Sequence, residues 1–294
     1  MKIGIIGIGL IGGSFALALR RGRALGDARL IGIDRDVGAL DAAQALGVID
    51  ECASFAAVST CDALMIAVPV RQIPAVLAEI LPHLRSETVV TDAGSTKQDV
   101  IVAARLAFGG RIAQFVPGHP IAGRERAGVA AADAGLFDGK HVVLTPIPEN
   151  TAQSVERVRS LWQGCGARVV EMLAETHDAV FAAVSHLPHL LAFALVDELA
   201  SRPNAKTLFS FAASGFRDFT RIAGSSPEMW RDITLNNRDA LLRELDTYEA
   251  QLSKLKRALL ARDGDALEKL MARARHARDQ WMAGELDGFP DEAT

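Results

Sequence analysis

Four short stretches hold residues whose types and spacing suit chemistry. His119 stands in PGHPIAGRE at 117–125, at the end of an apolar run, and the following Pro120 holds it extended. An imidazole fixed there can accept a hydroxyl proton near neutral pH. Ser95 lies in TDAGSTK at 91–97, where Gly94 permits a tight turn, the serine is predicted to cap the next helix, and Asp92 and Lys97 add charge. In SHLPH, Ser185 and His189 are four residues apart and share one helical face, while His186 points about a quarter-turn away. Pro188 removes a helical hydrogen bond, so a kink is predicted beside these polar residues. Arg221 follows Asp218 by three residues, a spacing that also suits a plain exposed ion pair worth about a few tenths of a kcal/mol.

These groups need a scaffold, and the chain opens with one: MKIGIIGIGLIGGSFALALRRG. Gly7, Gly9 and Gly12 form G-x-G-x-x-G between a short apolar strand and a helical run, the arrangement that holds a dinucleotide pyrophosphate on backbone N–H groups at a helix N-terminus. The second apolar run, RLIGID, ends at Asp34, 22 residues beyond Gly12, where a carboxylate can bind ribose hydroxyls and repel a 2′-phosphate. Arg35 beside it could instead cradle such a phosphate, so NAD is favoured and NADP stays open. Leu10 and Ile11 in the turn, Val68 within ALMIAVP, and Ser95 facing the nicotinamide complete the expected cofactor contacts.

To residue 174 the pattern is α/β. Near-continuous runs (IGIIGI, RLIGID, ALMIAVP, TVVTDAG, FVPGHP, HVVLTP, ARVVEM) alternate with helical stretches, which predicts a doubly wound, Rossmann-type parallel sheet with its ligands at the carboxyl ends of the strands. Residues 175–294 read as all-helical, with Ser226-Pro227 as a helix start. Leu241, Leu245, Tyr248, Leu252, Leu255 and Leu259 form a seam on a long helix, broken near Asp263-Gly264-Asp265; it serves either internal packing or a dimer contact.

A net charge of −4 disfavours a general nucleic-acid binder. Cys52, Cys61 and Cys165 lack metal-ligand spacing and fit reduced thiols, so no metal is expected. No signal peptide and no apolar run of about 18 residues are evident, and the reading is a cytoplasmic protein away from membranes.

Taken together, GIGLIGGS, TDAGSTK, GHPIAG, SHLPH, GFRDFTRIA and MWRDI resemble the prephenate/arogenate (cyclohexadienyl) dehydrogenase family of tyrosine biosynthesis, from Lys2 to about Leu260. The resemblance implies NAD(P)-dependent oxidative decarboxylation of prephenate to 4-hydroxyphenylpyruvate, or of arogenate, or of both. It implies that His119 takes the proton of the ring 4-hydroxyl, with Ser95 orienting it. Arg221 would hold a substrate carboxylate, and Ser185, His189 and Trp230 would line the pocket, Trp230 either from within the chain or across a dimer. Glu125, Asp178, Asp218 and Arg221 would form an ionic gate. A homodimer through the helical half, L-tyrosine as an active-site inhibitor and a monofunctional chain are further implications. Arg124 and Arg126, if either faces the substrate side chain, would favour the keto acid over the ammonium form.

The chemistry asks for a neutral His119. A protonated group could donate to the 4-hydroxyl and expel it, aromatising the ring to the wrong product. Activity is therefore expected to fall on the acid side, between pH 5 and 8, as a histidine protonates. Two rivals predict other features. A 3-hydroxyacid-type dehydrogenase would carry a lysine on a glycine-rich helix where this chain has SHLPH. A non-enzymatic NAD-sensing protein would need no His119 and would often carry a DNA-binding element.

Overall fold

The computed structural model of the chain describes residues 1–22, 26, 28–124 and 127–284. Its centre is a six-stranded parallel sheet ordered β3-β2-β1-β4-β5-β6, built from β1 (Lys2–Ile6), β2 (Arg29–Ile33), β3 (Glu51–Ala53), β4 (Ala63–Ile66), β5 (Val89–Asp92) and β6 (Phe115–Val116). Helices α1 (Leu10–Gly22), α2 (Val37–Ala45), α3 (Ile73–Ile80) and α4 (Gln98–Phe108) make the crossovers. Alternate residues of β1 feed two cores. Ile3 and Ile5 pack with Phe15 and Trp162 on one face, and Ile6 packs with Leu64, Ile66 and Leu77 on the other. Strand order reverses between β1 and β4, which opens a crevice beyond their carboxyl ends.

The expected single sheet is in fact two. Pro117, which has no N–H for a ladder, splits FVPGHP into β6 and β7 (Gly118–Pro120). Strand β7 pairs antiparallel with β8 (His141–Leu144), which pairs parallel with β9 (Arg168–Glu171); α5 (Ala152–Gly164) joins the last two. His119 is thus the middle residue of a three-residue strand, opposite Val143, rather than the end of a parallel one. Strand β3 lies in no run singled out from the sequence.

Helices α6 (Ala174–Phe181) and α7 (Leu187–Ala200) are joined by a π-helical turn at Ala182–His186. The kink expected from Pro188 takes this form: the wide turn absorbs the lost N–H bond without ending the helix. By length and composition the run Ala174–Ala200 could cross a membrane, so the expectation that no stretch reaches that length does not hold. It nonetheless carries the buried polar residues His177, Asp178 and His186. Short helices α8 (Ala205–Ser210) and α9 (Ser214–Thr220) precede α10 (Pro227–Asn236), whose first turn is capped as expected, Ser226 Oγ accepting from Met229 N at 3.3 Å.

By packing, one compact unit runs from Met1 to Arg238 and a second begins at Asp239, so compactness divides the chain well beyond residue 174. The second unit contains α11 (Arg238–Ala261) and α12 (Gly264–Ala283), separated where Asp263 caps α12 by accepting from Ala266 N at 2.9 Å. Of the seam on α11, Leu241 is buried while Leu252 and Leu259 are exposed, as are Met271 and Trp281 on α12.

Candidate active site

The glycine turn is shaped by close approach. Gly7 has φ +92°, and a Cβ there would lie 2.7 Å from the carbonyl oxygen of Ala67, just beyond β4. A Cβ on Gly12 would collide with the carbonyl oxygen of Gly7, so only glycine lets α1 start this close to β1. Gly9, by contrast, faces open space at the N-terminus of α1. Leu10 and Ile11 are half-buried on the core, and Val68 flanks Gly7 from the end of β4. Asp34 lies at the end of β2 with Oδ2 accepting from Ile8 N at 2.7 Å and Oδ1 accepting from Asp36 N at 3.0 Å, which holds the carboxylate against the turn. Arg35 reaches away to Glu79, 3.4 Å distant. An open backbone cradle, a helix N-terminus and an anchored acid at the second strand fit a dinucleotide.

The second half of the site begins at β5. Lys97 and Asp92, noted in the sequence only as added charge, form an ion pair with both side chains 0% exposed. Burial of two charges is costly unless every lone pair and proton is used. Here Asp92 also accepts from Gly94 N at 2.8 Å and Gly118 N at 3.0 Å, and Lys97 Nζ donates to Gly118 O at 2.7 Å. Both polar groups of Gly118 are thereby fixed, and with them the backbone entering His119. Asp92 is the last residue of β5, two strands from β1 in the parallel sheet, so the backbone entering His119 is tied to the carboxyl end of the sheet that also carries the glycine turn.

Behind His119 stands a pair that the sequence reading left without a catalytic part. His119 Nδ1 is 2.8 Å from His177 Nε2, and His177 Nδ1 is 2.8 Å from Asp178 Oδ1. Asp178 also accepts from Lys97 N and Gln98 N, each at 2.9 Å. The cap expected from Ser95 is therefore made by Asp178: Lys97 occupies the N-cap position without a side-chain cap, and half-buried Ser95 sits in the loop before it. At 1% exposure Asp178 is an interior anchor, not part of a gate at the rim. The signals were the adjacent His177-Asp178 and the lysine of TDAGSTK, but nothing local says that these residues meet.

Electrostatics follow from this packing. Burial pushes the His119 imidazole well below its ordinary value, and the charges of His177, Lys97 and His186 push the same way. Burial also lowers His177, against the opposing pull of Asp178. Burial would raise the Asp178 carboxyl, but the hydrogen bonds from His177, Gln98 and Lys97 hold it below the usual carboxylate range. The imidazoles are thus neutral at rest. With Asp178 accepting from His177 Nδ1–H, His177 Nε2 accepts from His119 Nδ1–H, and His119 Nε2 has no protein partner among the described residues.

SHLPH contributes differently. His189 Nδ1 donates to the Ser185 carbonyl at 2.8 Å, and its ring stacks on Trp230 of the same chain at 3.6 Å. Burial lowers its imidazole, the Ser185 carbonyl opposes that, and nearby Arg221 lowers it further. Arg221 itself is exposed, as is Asp218. His186 turns inward, its Nδ1 3.1 Å from Asn237 Nδ2, which also donates to Asp178 O at 2.7 Å. Burial pushes His186 down to about 4. Glu125 and Arg126 lie outside the described residues. Arg124 pairs with Asp133, which in turn donates its N–H to Ser14 Oγ at 2.9 Å, so Arg124 is engaged over α1.

Comparison with known proteins bears on this geometry. Residues 15–171 match the family model of the prephenate dehydrogenase nucleotide-binding domain, and residues 173–273 match that of the prephenate dehydrogenase dimerization domain. A prephenate dehydrogenase of Bacillus subtilis is 41% identical over 280 residues, 94% of this chain and 74% of its own. A cyclohexadienyl dehydrogenase of Zymomonas mobilis is 36% identical over 94% of each chain. Among solved structures, prephenate dehydrogenase from Aquifex aeolicus in complex with hydroxyphenyl propionate and NAD+ superposes with a TM-score of 0.87 at 37% identity, covering 96% of this chain and 98% of its own.

Proposed function

Because this chain belongs to the prephenate dehydrogenase family, we propose that it catalyses the NAD-dependent oxidative decarboxylation of prephenate to 4-hydroxyphenylpyruvate in tyrosine biosynthesis. The observation that carries the reading is the neutral, partly exposed His119, its Nε2 without a protein partner among the described residues, on backbone that Asp92 and Lys97 tie to the carboxyl end of β5. His119 Nε2 accepts the proton of the 4-hydroxyl and, being neutral, has none to give that oxygen in its place. Gly7, Gly9 and Gly12 hold the pyrophosphate, Asp34 the ribose hydroxyls, and Leu10, Ile11, Val68 and Ser95 line the dinucleotide. When bound, the oxidised nicotinamide takes the hydride from C4. Arg221 clamps a substrate carboxylate beside His189, while Ser185 and Trp230 bound the pocket; Asp218 and Arg221 form its outer ionic rim.

Arogenate, with an ammonium where prephenate has a keto group, is the second reading; the cyclohexadienyl dehydrogenase among the relatives favours keeping it. The dimerization-domain match and the exposed apolar residues of α11 and α12 support a homodimer. Tyrosine, sharing the side chain of arogenate and the ring of the product, acts as an active-site inhibitor. Three free thiols suit the cytoplasm.

The deciding measurement is kcat/KM for prephenate and arogenate with NAD and with NADP, followed by absorbance of the reduced cofactor. A preference for prephenate with NAD is expected; no reduction with either substrate overturns the reading. Arg221→Ala should act chiefly through KM for the substrate, and a loss confined to kcat would remove the clamp.

A further inference from the structure

We propose that His177 and Asp178 form a proton relay behind His119, storing the substrate proton as charge on His177 and returning it to the product oxygen. The proposal rests on the reading above that His119 is the base. Its ground is a contrast between two histidines of one site. His189 donates to a carbonyl, which cannot be protonated at physiological pH, so its N–H is fixed. His119 donates to a neutral imidazole, a partner that can accept the proton outright.

The step balances. The substrate O–H bond breaks as His119 Nε2–H forms, and the His119 Nδ1–H bond breaks as His177 Nε2–H forms. Meanwhile the C4 hydride leaves to the oxidised nicotinamide, and the electrons of the breaking ring–carboxylate bond complete the aromatic ring. Carbon dioxide departs, leaving a phenolate. The overall reaction ends with that oxygen protonated, so the proton must come back, and reversal of both transfers supplies it.

The surroundings suit temporary storage. His177 is 0% exposed and its cationic form would face the Asp178 carboxylate at 2.8 Å. Asp178 keeps its charge through a hydrogen bond from His177 and two from N–H groups at the N-terminus of α4, where helix partial charge favours an anion. Phe181 packs edge-on to His119 at 5.0 Å and tilted to His177 at 4.5 Å, covering both imidazoles. Among charged and titratable groups packed on them, Lys97 opposes protonation from the loop before α4. Its partner Asp92 favours it, and His186 faces them from the π-turn. The site therefore rests neutral yet holds an anion one atom from the stored charge. His177 and Asp178 act through His119 and are positioning residues.

Two experiments decide it. In the first, kcat/KM is measured in mixtures of light and heavy water, under conditions where C4 deuteration slows the reaction. Wild type should give a bowed dependence, since two protons move together, whereas His177→Gln should give a straight one. In that variant kcat should fall about 10–100-fold with KM nearly unchanged. A straight line in wild type, or an undiminished kcat in the variant, overturns the relay. The second needs no variant and no turnover: nitrogen-15 resonances of histidine-labelled wild type at neutral pH. A proton on Nδ1 of both His119 and His177 supports the relay, and a proton on Nε2 of either overturns it. Wild type that fails to reduce NAD with prephenate defeats the proposed function instead, and the tautomer measurement tells the two failures apart.

Discussion

The two ends of the site are built from opposite materials. At the glycine turn the work is done by missing side chains: Gly7 and Gly12 let backbone approach backbone, Gly9 leaves space, and the Asp34 side chain is tied in through Ile8 N–H. At the histidine end, side chains that prefer water are buried and made to satisfy one another, from Asp92 and Lys97 through Gly118 to His119, His177 and Asp178. A ligand of fixed shape can be held by static backbone donors. A reaction that moves a proton needs groups whose charge can change, and those must be sheltered to hold an unusual value.

The sharpest way to break this division is His119→Ala, which should lower kcat by about 10²–10⁴-fold while KM for NAD stays nearly constant. Coupled loss of both in initial-rate measurements would mean that the two ends are not separable. Next is Lys97→Met, which strands the Asp92 carboxylate in the interior and should cost about 3–5 kcal/mol in urea unfolding. The double variant Lys97→Met, Asp92→Asn should recover part of that. A single variant as stable as wild type would show that the pair does not clamp Gly118.

Acid tests the same end with a smaller effect. Below the ordinary histidine value of 6.5 the unfolded chain binds protons that folded His186 refuses until about 4, so stability must fall as pH drops through that window. His186 alone accounts for on the order of 3 kcal/mol, and His119, His177 and His189 push in the same direction. Chemical denaturation at successive pH values should show this slope, and an invariant midpoint would contradict neutral burial. The same burial corrects the expected activity profile: the acid limb of kcat/KM belongs well below 6.5, so a flat profile near neutrality is compatible with a histidine base.

The contrast also explains what could be read from the chain in advance. Strand, glycine turn, helix and Asp34 follow one another within 34 residues, and their spacing is their geometry. The histidine end joins residues 81 apart, as in Lys97 with Asp178, and 58 apart, as in His119 with His177. Spacing carries no information about such pairs. Ser95 was the local candidate for the cap on α4, and a residue from α6 took the place because it could satisfy two N–H groups at once. FVPGHP looked like one strand because apolar patterning cannot tell that Pro117 turns the chain from one sheet into another.

The least effect is expected at the cofactor end, where Arg35 leaves the choice between NAD and NADP open. Arg35 and Glu79 are both exposed and 3.4 Å apart, so their attraction is screened and worth about 0–1 kcal/mol. Asp34, held by Ile8 N–H and Asp36 N–H, cannot swing aside to admit a 2′-phosphate without giving up both bonds. Arg35→Ala should therefore leave stability within about 0.5 kcal/mol of wild type. KM for NAD should be almost unchanged. If the variant instead loses NADP turnover while keeping that with NAD, Arg35 leaves Glu79 to bind the phosphate, and the cofactor end would then contain a moving charge of the kind the comparison assigns to the histidine end alone.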